Sequence, residues 1–149
     1  MPPTISKFLI GAIVLLALIG FADSTFLFAK RIVGTPIPCV LGFSGCDEVA
    51  KSPHSVLFGI PLSALGTVFY LAIGIIALLY ADTKKVLLAK LLLGATTIGF
   101  LMSVYFIYVQ GFLIKAFCIY CVISAIISTA LFTLGIILYR TLPTPRKDL

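Results

Sequence analysis

Charge is what this chain has least of. Acidic and basic residues make up 11% of its 149 residues, where a soluble domain carries about 25%. That shortage excludes an ordinary water-soluble domain, and 61% hydrophobic residues with a mean hydropathy of +1.22 identify an integral membrane protein. Tryptophan is absent, so tyrosine must supply any aromatic belt at the membrane surface. Histidine occurs once, as His54, in a polar stretch where it reads as a solvated loop residue rather than a proton relay. The net charge of +6 could suggest nucleic acid. The charges punctuate apolar runs and never form a stripe, so no nucleic-acid partner is expected.

What is present is a set of long uncharged runs. Four spans are expected, at 8–29, 56–80, 87–114 and 116–139. The last, at ~1.5 Å per residue, reaches ~36 Å and exceeds a bilayer core of ~30 Å. The first competes with a signal peptide, but its helical pattern continues past Ala22 and no clear small-residue cleavage site follows. Asp23 lies inside that span. An intramembrane acid is a functional candidate, and its structural alternative is a partner such as Lys30 or a backbone donor. Pro61 falls where proline is tolerated, in the first turn of the second span. Lys90 can snorkel at the start of the third. Tyr105 and Tyr108 suit an interfacial belt.

The connection 30–55 differs in kind. It holds Gly34, Pro36, Pro38, Gly42, Gly45 and Pro53, and a loop of this length in a small protein is usually functional. Its second half, Ser44 to Lys51, reads as a short helix with Ser44 and Asp47 in capping-box positions. Residues 140–149 form a soluble tail. The fold class expected is therefore an all-α membrane protein, one domain built as a four-transmembrane-helix bundle with a long loop carrying a short helix.

Four spans put both termini on one side. That side holds Lys7, Lys84, Lys85, Lys90, Arg140, Arg146 and Lys147, against Lys30, Arg31, Lys51 and Lys115 on the other. Seven against four makes the terminal side cytoplasmic by the positive-inside rule. All four cysteines then gather at the outer face, where thiols meet an oxidising environment.

The cysteines form two close pairs, Cys39/Cys46 and Cys118/Cys121. The second is a C-x-x-C at the head of the last span, a suitable redox spacing. Zinc ligation, static disulfides or simple packing are the alternatives. The six-residue gap of the first pair is not a usual zinc-ligand spacing, so no metal is expected. Cys118 near a helix start, with Lys115 close by, should favour a thiolate.

Together these residues resemble the vitamin K epoxide reductase family in its bacterial and archaeal form. The pattern is Cys39, then Cys46-Asp47-Glu48-Val49, Ser52, Phe58-Gly59-Ile60-Pro61-Leu62-Ser63 and Cys118-Ile119-Tyr120-Cys121, with Asp23-Ser24 in the first span. The similarity covers roughly residues 8 to 139. It implies a bundle around a membrane quinone, ubiquinone or menaquinone, with Cys39/Cys46 as shuttle and Cys118/Cys121 as active-site pair. It implies a thiol oxidoreductase in the cell (inner) membrane that reoxidises a thioredoxin-fold, DsbA-like partner and so drives disulfide formation outside the cytoplasm. Many prokaryotic members carry that partner fused; this chain ends at Leu149, so a separate partner is expected. In this reading Cys39 meets the partner, Cys46 attacks Cys118, and Cys121 faces the quinone. Ser52, Ser55, Phe58, Phe112 and Phe117 are the expected quinone contacts. The resemblance departs at two positions: an asparagine and a tyrosine that hold the quinone oxygens in animal members correspond to Ser55 and Ala125, and alanine has no donor. Alternatives within and outside the enzyme class are a vitamin K epoxide or quinone reductase, and a non-enzymatic four-span protein with static disulfides.

Overall fold

A computed structural model describes residues 3–39 and 45–142. The expected Ser44 cap and most of the tail lie outside the described residues. Among these, the elements run α1 (Pro3–Val33), α2 (Cys46–Lys51), a two-stranded hairpin of β1 (Val56–Leu57) and β2 (Ile60–Pro61), α3 (Leu62–Thr83), α4 (Val86–Tyr108) and α5 (Ile119–Arg140). Among the described residues, four helices are long and apolar enough to cross a membrane: Thr4–Val33, Leu62–Thr83, Val86–Ile114 and Ile119–Arg140.

Helix α1 is longer at both ends than the uncharged run that announces it. Lys7, Lys30 and Arg31 ride on its ends, as long basic side chains can. The second span starts later than expected, at Leu62 rather than Val56. Val56 pairs antiparallel with Pro61, and Leu57 with Ile60. Phe58 and Gly59 turn between them with φ of 51° and 80°, the two positive values that suit a tight hairpin. Pro61 precedes the helix instead of occupying its first turn. Helix α3 ends where Lys84 turns left-handed and its N–H donates to the Tyr80 carbonyl at 2.9 Å.

The helices form a ring in which α1 packs on α3 and α5, and α4 packs on α5 and α3. Lipid is as apolar as leucine, so burial from water cannot drive this association; close van der Waals fit must. Small residues permit it. A Cβ on Gly20 would come within 2.7 Å of three Tyr70 ring atoms, so α1 and α3 approach over a missing side chain. Ile13, Ala17, Tyr70, Ile73, Leu92 and Leu131 are buried at the centre of the ring. Leu15, Leu18, Ile75, Leu78, Leu101 and Ile126 point outward, as the surface of a membrane bundle should.

A second buried cluster sits at the loop end. It joins Ile37, Cys46, Val49, Phe106, Cys118 and Ile119, with Cys39 and Cys121 packed against it. The loop is therefore docked on the bundle. Arg31 at the end of α1 fastens it, its Nη1 donating to the Ala50 carbonyl at 2.8 Å and to Ser55 Oγ at 3.1 Å.

Candidate functional site

The two cysteine pairs meet in that loop-end cluster although 72 residues separate Cys46 from Cys118 (118 − 46). Cys39 and Cys46 form a disulfide with their Cα atoms 5.7 Å apart. Cys46 opens α2 and is fully buried, whereas Cys39 lies in the irregular half of the loop and is partly exposed. Cys118 and Cys121 are free thiols. Cys118 is buried and Cys121 is partly buried.

The local structure around Cys118 comes from how α4 ends. Its last turn widens over Val109–Ile114, and Lys115 then adopts a left-handed φ of 58°. Widened turns of this kind often mark functional sites. The chain runs extended to Cys118, which caps α5 one residue before the helix rather than within its first turn. The Cys118 thiol is held below the usual thiol range, first by a hydrogen bond from the Cys121 thiol. The backbone N–H groups of Cys121 and Tyr120 add to this, while burial and the Asp23 charge oppose it. Lys115 was expected to help, but its side chain is exposed and the lowering arises without it.

Below the cysteines lies a cavity of about 390 Å³ between the four long helices. Cys118 lines it from the cap of α5, Cys121, Ser124 and Ser128 from α5 itself, Asp23 from α1, and Gln110 from the widened turn. Ala125 and Ser55 also border it. Tyr70 spans the middle of the bundle, its hydroxyl donating to the Ser124 carbonyl at 2.9 Å and lying 2.7 Å from Ser124 Oγ. Asp23 does not pair with Lys30; its Oδ2 is buried and has no partner. It lies ten residues before the end of α1 (33 − 23), roughly 15 Å along the helix.

The expected pocket residues divide. Ser55 borders the cavity, but its hydroxyl is engaged within the loop, 2.8 Å from the Ala50 carbonyl and 2.7 Å from the Ser52 carbonyl. Ser52 is not among the lining residues. Neither are Phe58, Phe112 and Phe117, which were expected as ligand contacts. Phe58 sits at the hairpin tip, 95% exposed, and Phe112 and Phe117 face outward from the widened turn and the extended segment after it. Phe69 and Phe106 border the cavity instead. In the sequence Gln110 reads only as a turn marker, and the structure buries it completely against Cys118.

The vitamin K epoxide reductase family model matches residues 11–136. The chain belongs to the vitamin K epoxide reductase family. Within it, the chain is 30% identical over 124 residues to the thiol-disulfide oxidoreductase LTO1 of Arabidopsis thaliana, an alignment covering 76% of this chain. The chain spans 32% of that relative's length. Family membership, with two cysteine pairs converging on one end of a multi-pass membrane bundle, supports a disulfide-forming redox role.

The junction between loop and bundle is tight at one point. A Cβ on Gly45 would lie 2.7 Å from Ala116 Cβ and 2.8 Å and 2.9 Å from the backbone N and O of Phe117. Backbone cannot yield as a side chain tip can, so Gly45→Val should lift the start of α2 away from Cys118 at a cost of about 1–3 kcal/mol. In the reduced wild-type protein Cys46 should react with a maleimide far more slowly than Cys39. In the variant the two rates should converge; an unchanged Cys46 rate would show that the loop is held elsewhere.

Proposed function

We propose that this chain is a quinone-linked thiol oxidase that reoxidises a thioredoxin-fold partner and so drives disulfide formation outside the cytoplasm. One observation carries the reading: all four cysteines pack into one cluster directly over a cavity that only the second pair lines. The excess of basic residues at the terminal side favours that cluster facing away from the cytoplasm.

The cavity's chemistry suits a quinone. Its walls are mostly aliphatic and aromatic, and two of its lining residues, Gln110 and Ser128, carry buried polar atoms without partners, Nε2 and Oγ. A flat apolar ring with acceptor oxygens answers both features. When bound, a quinone supplies a two-electron, two-proton acceptor.

The protein's own residues perform the rest by thiol–disulfide exchange. The partner's thiolate attacks Cys39, the more exposed sulfur of the loop disulfide, and Cys46 leaves as a thiolate. The partner's second thiol resolves the mixed disulfide, so the partner is oxidised and the loop pair reduced. Cys46 attacks Cys118 of an oxidised Cys118–Cys121 pair, and Cys121 leaves as a thiolate toward the cavity. Cys39 then displaces Cys118 from Cys46 and restores the loop disulfide. That leaves the arrangement seen here, with the loop pair oxidised and the helix pair reduced. Re-forming the Cys118–Cys121 bond releases two electrons and two protons into the cavity, where the unpartnered Asp23 carboxyl offers a proton acceptor.

Replacing Cys39 with alanine tests the order. Oxidation of a thioredoxin-fold dithiol protein should be lost, while quinone reduction driven by dithiothreitol should persist, because a small dithiol reaches Cys118–Cys121 without the loop. Equal loss with both reductants would remove Cys39 as the entry point.

A further inference from the structure

We propose that Gln110 donates the hydrogen bond that holds one carbonyl oxygen of the quinone beside Cys118 and Cys121. This assignment rests on the quinone reading above and names the residue that recognises the ligand.

Several donors line the cavity, the Ser24 and Ser63 hydroxyls among them, and what separates the candidates is a tie to the cysteine pair. Ser55 has one hydroxyl hydrogen, and the Ala50 and Ser52 carbonyls compete for it. Its oxygen also accepts from Arg31. Ala125 has nothing to give. The Tyr70 hydroxyl is taken by Ser124. Three lining residues carry buried polar atoms without partners: Asp23 Oδ2, Ser128 Oγ and Gln110 Nε2. Asp23, taken as the carboxylate that accepts a proton in the proposed cycle, can only accept. Ser128 lies seven residues beyond Cys121 on α5 (128 − 121), about 10 Å deeper. Of the three, Gln110 is the one hydrogen-bonded to the cysteine pair.

Its amide orientation is fixed by chemistry. The Cys118 N–H donates to Gln110 at 3.0 Å, and only Oε1 can accept. The two Nε2 hydrogens are therefore left for whatever fills the cavity. The backbone reinforces the placement, since the Gln110 carbonyl accepts from the Ala116 N–H at 3.1 Å. Gln110 thus holds the segment leading to Cys118 with two of its oxygens and keeps one nitrogen unspent. A buried N–H without a partner is costly to retain, and a ligand oxygen satisfies it.

Gln110 is the sole glutamine of the chain, and asparagine is absent. Protein labelled with side-chain ¹⁵N-glutamine therefore gives one carboxamide NH₂ signal. The oxidised protein in lipid nanodiscs, with both pairs as disulfides, is titrated with a short-tailed ubiquinone, with a short-tailed menaquinone, and with the same rings and tails lacking both carbonyl oxygens. Binding is followed in parallel by tyrosine fluorescence. The Gln110 signal should shift saturably with whichever quinone binds and much less with its oxygen-free analogue. Quinone binding with no shift overturns the assignment and leaves the quinone reading standing; binding of neither quinone overturns both. In Gln110→Leu, quinone affinity should fall about tenfold, equivalent to about 1.4 kcal/mol, with affinity for the analogue unchanged. Equal losses for both ligands, or none for either, would overturn the assignment, because a purely structural role at Cys118 cannot alter discrimination between them.

Discussion

Cys121→Ala should reduce dithiothreitol-driven quinone reduction to the uncatalysed rate while leaving the bundle folded. Cys121 is the cysteine one turn below the loop junction, and it lines the cavity together with Cys118. Without it, Cys118 has no resolving thiol and cannot form the disulfide whose re-formation releases the electrons. The cost to stability should be small, about 1 kcal/mol, as for an ordinary substitution that opens little space. Cys121 is a free thiol and staples nothing in this structure. Activity and thermal unfolding measured on the same preparation separate the two readings. Lost stability with retained quinone reduction would support a non-enzymatic membrane protein instead.

The second large effect is a trapped intermediate. In Cys46→Ala, the remaining loop cysteine has no internal partner, so it waits as a thiol or a mixed disulfide. When a monothiol form of the thioredoxin-fold partner is supplied as its mixed disulfide with thionitrobenzoate, Cys39 should displace thionitrobenzoate, and the complex should survive a non-reducing gel and vanish on reduction. Rescue by another thiol needs Cα atoms within roughly 7 Å. Cys118 and Cys121 are held at the head of a packed helix, while Cys39 lies in the irregular half of the loop. In Cys39→Ala the corresponding complex should be scarce, because Cys46 is fully buried. Accumulation in Cys39→Ala but not in Cys46→Ala would exchange the roles of the two loop cysteines.

The spans were legible because an uncharged run long enough to cross a bilayer is seldom anything but a transmembrane helix. Their ends were less so. Val56 to Tyr80 carries no charge, and nothing in its hydropathy separates a hairpin from a helix; only the positive φ at Phe58 and Gly59 does. The cysteine pairs were legible from type and spacing, and the structure adds that the loop is docked by Arg31 and Gly45. The cavity lining was not. Phe58, Phe112 and Phe117 are as apolar as Phe69 and Phe106, and sequence cannot tell a side chain facing lipid from one facing a cavity. Gln110 was visible only as a polar residue near a turn. Its burial depends on the widened turn that swings it under Cys118, a feature of helix geometry with no composition of its own.

Electron transfer from the cysteines to a quinone held in the cavity can be measured directly. Fully reduced protein in nanodiscs is mixed with excess ubiquinone, without oxygen, and quinol absorbance is followed alongside the remaining thiols. One quinol should appear for each disulfide formed, and none from protein in which both Cys118 and Cys121 are alanine. Thiols that persist while quinone stays oxidised would contradict the transfer.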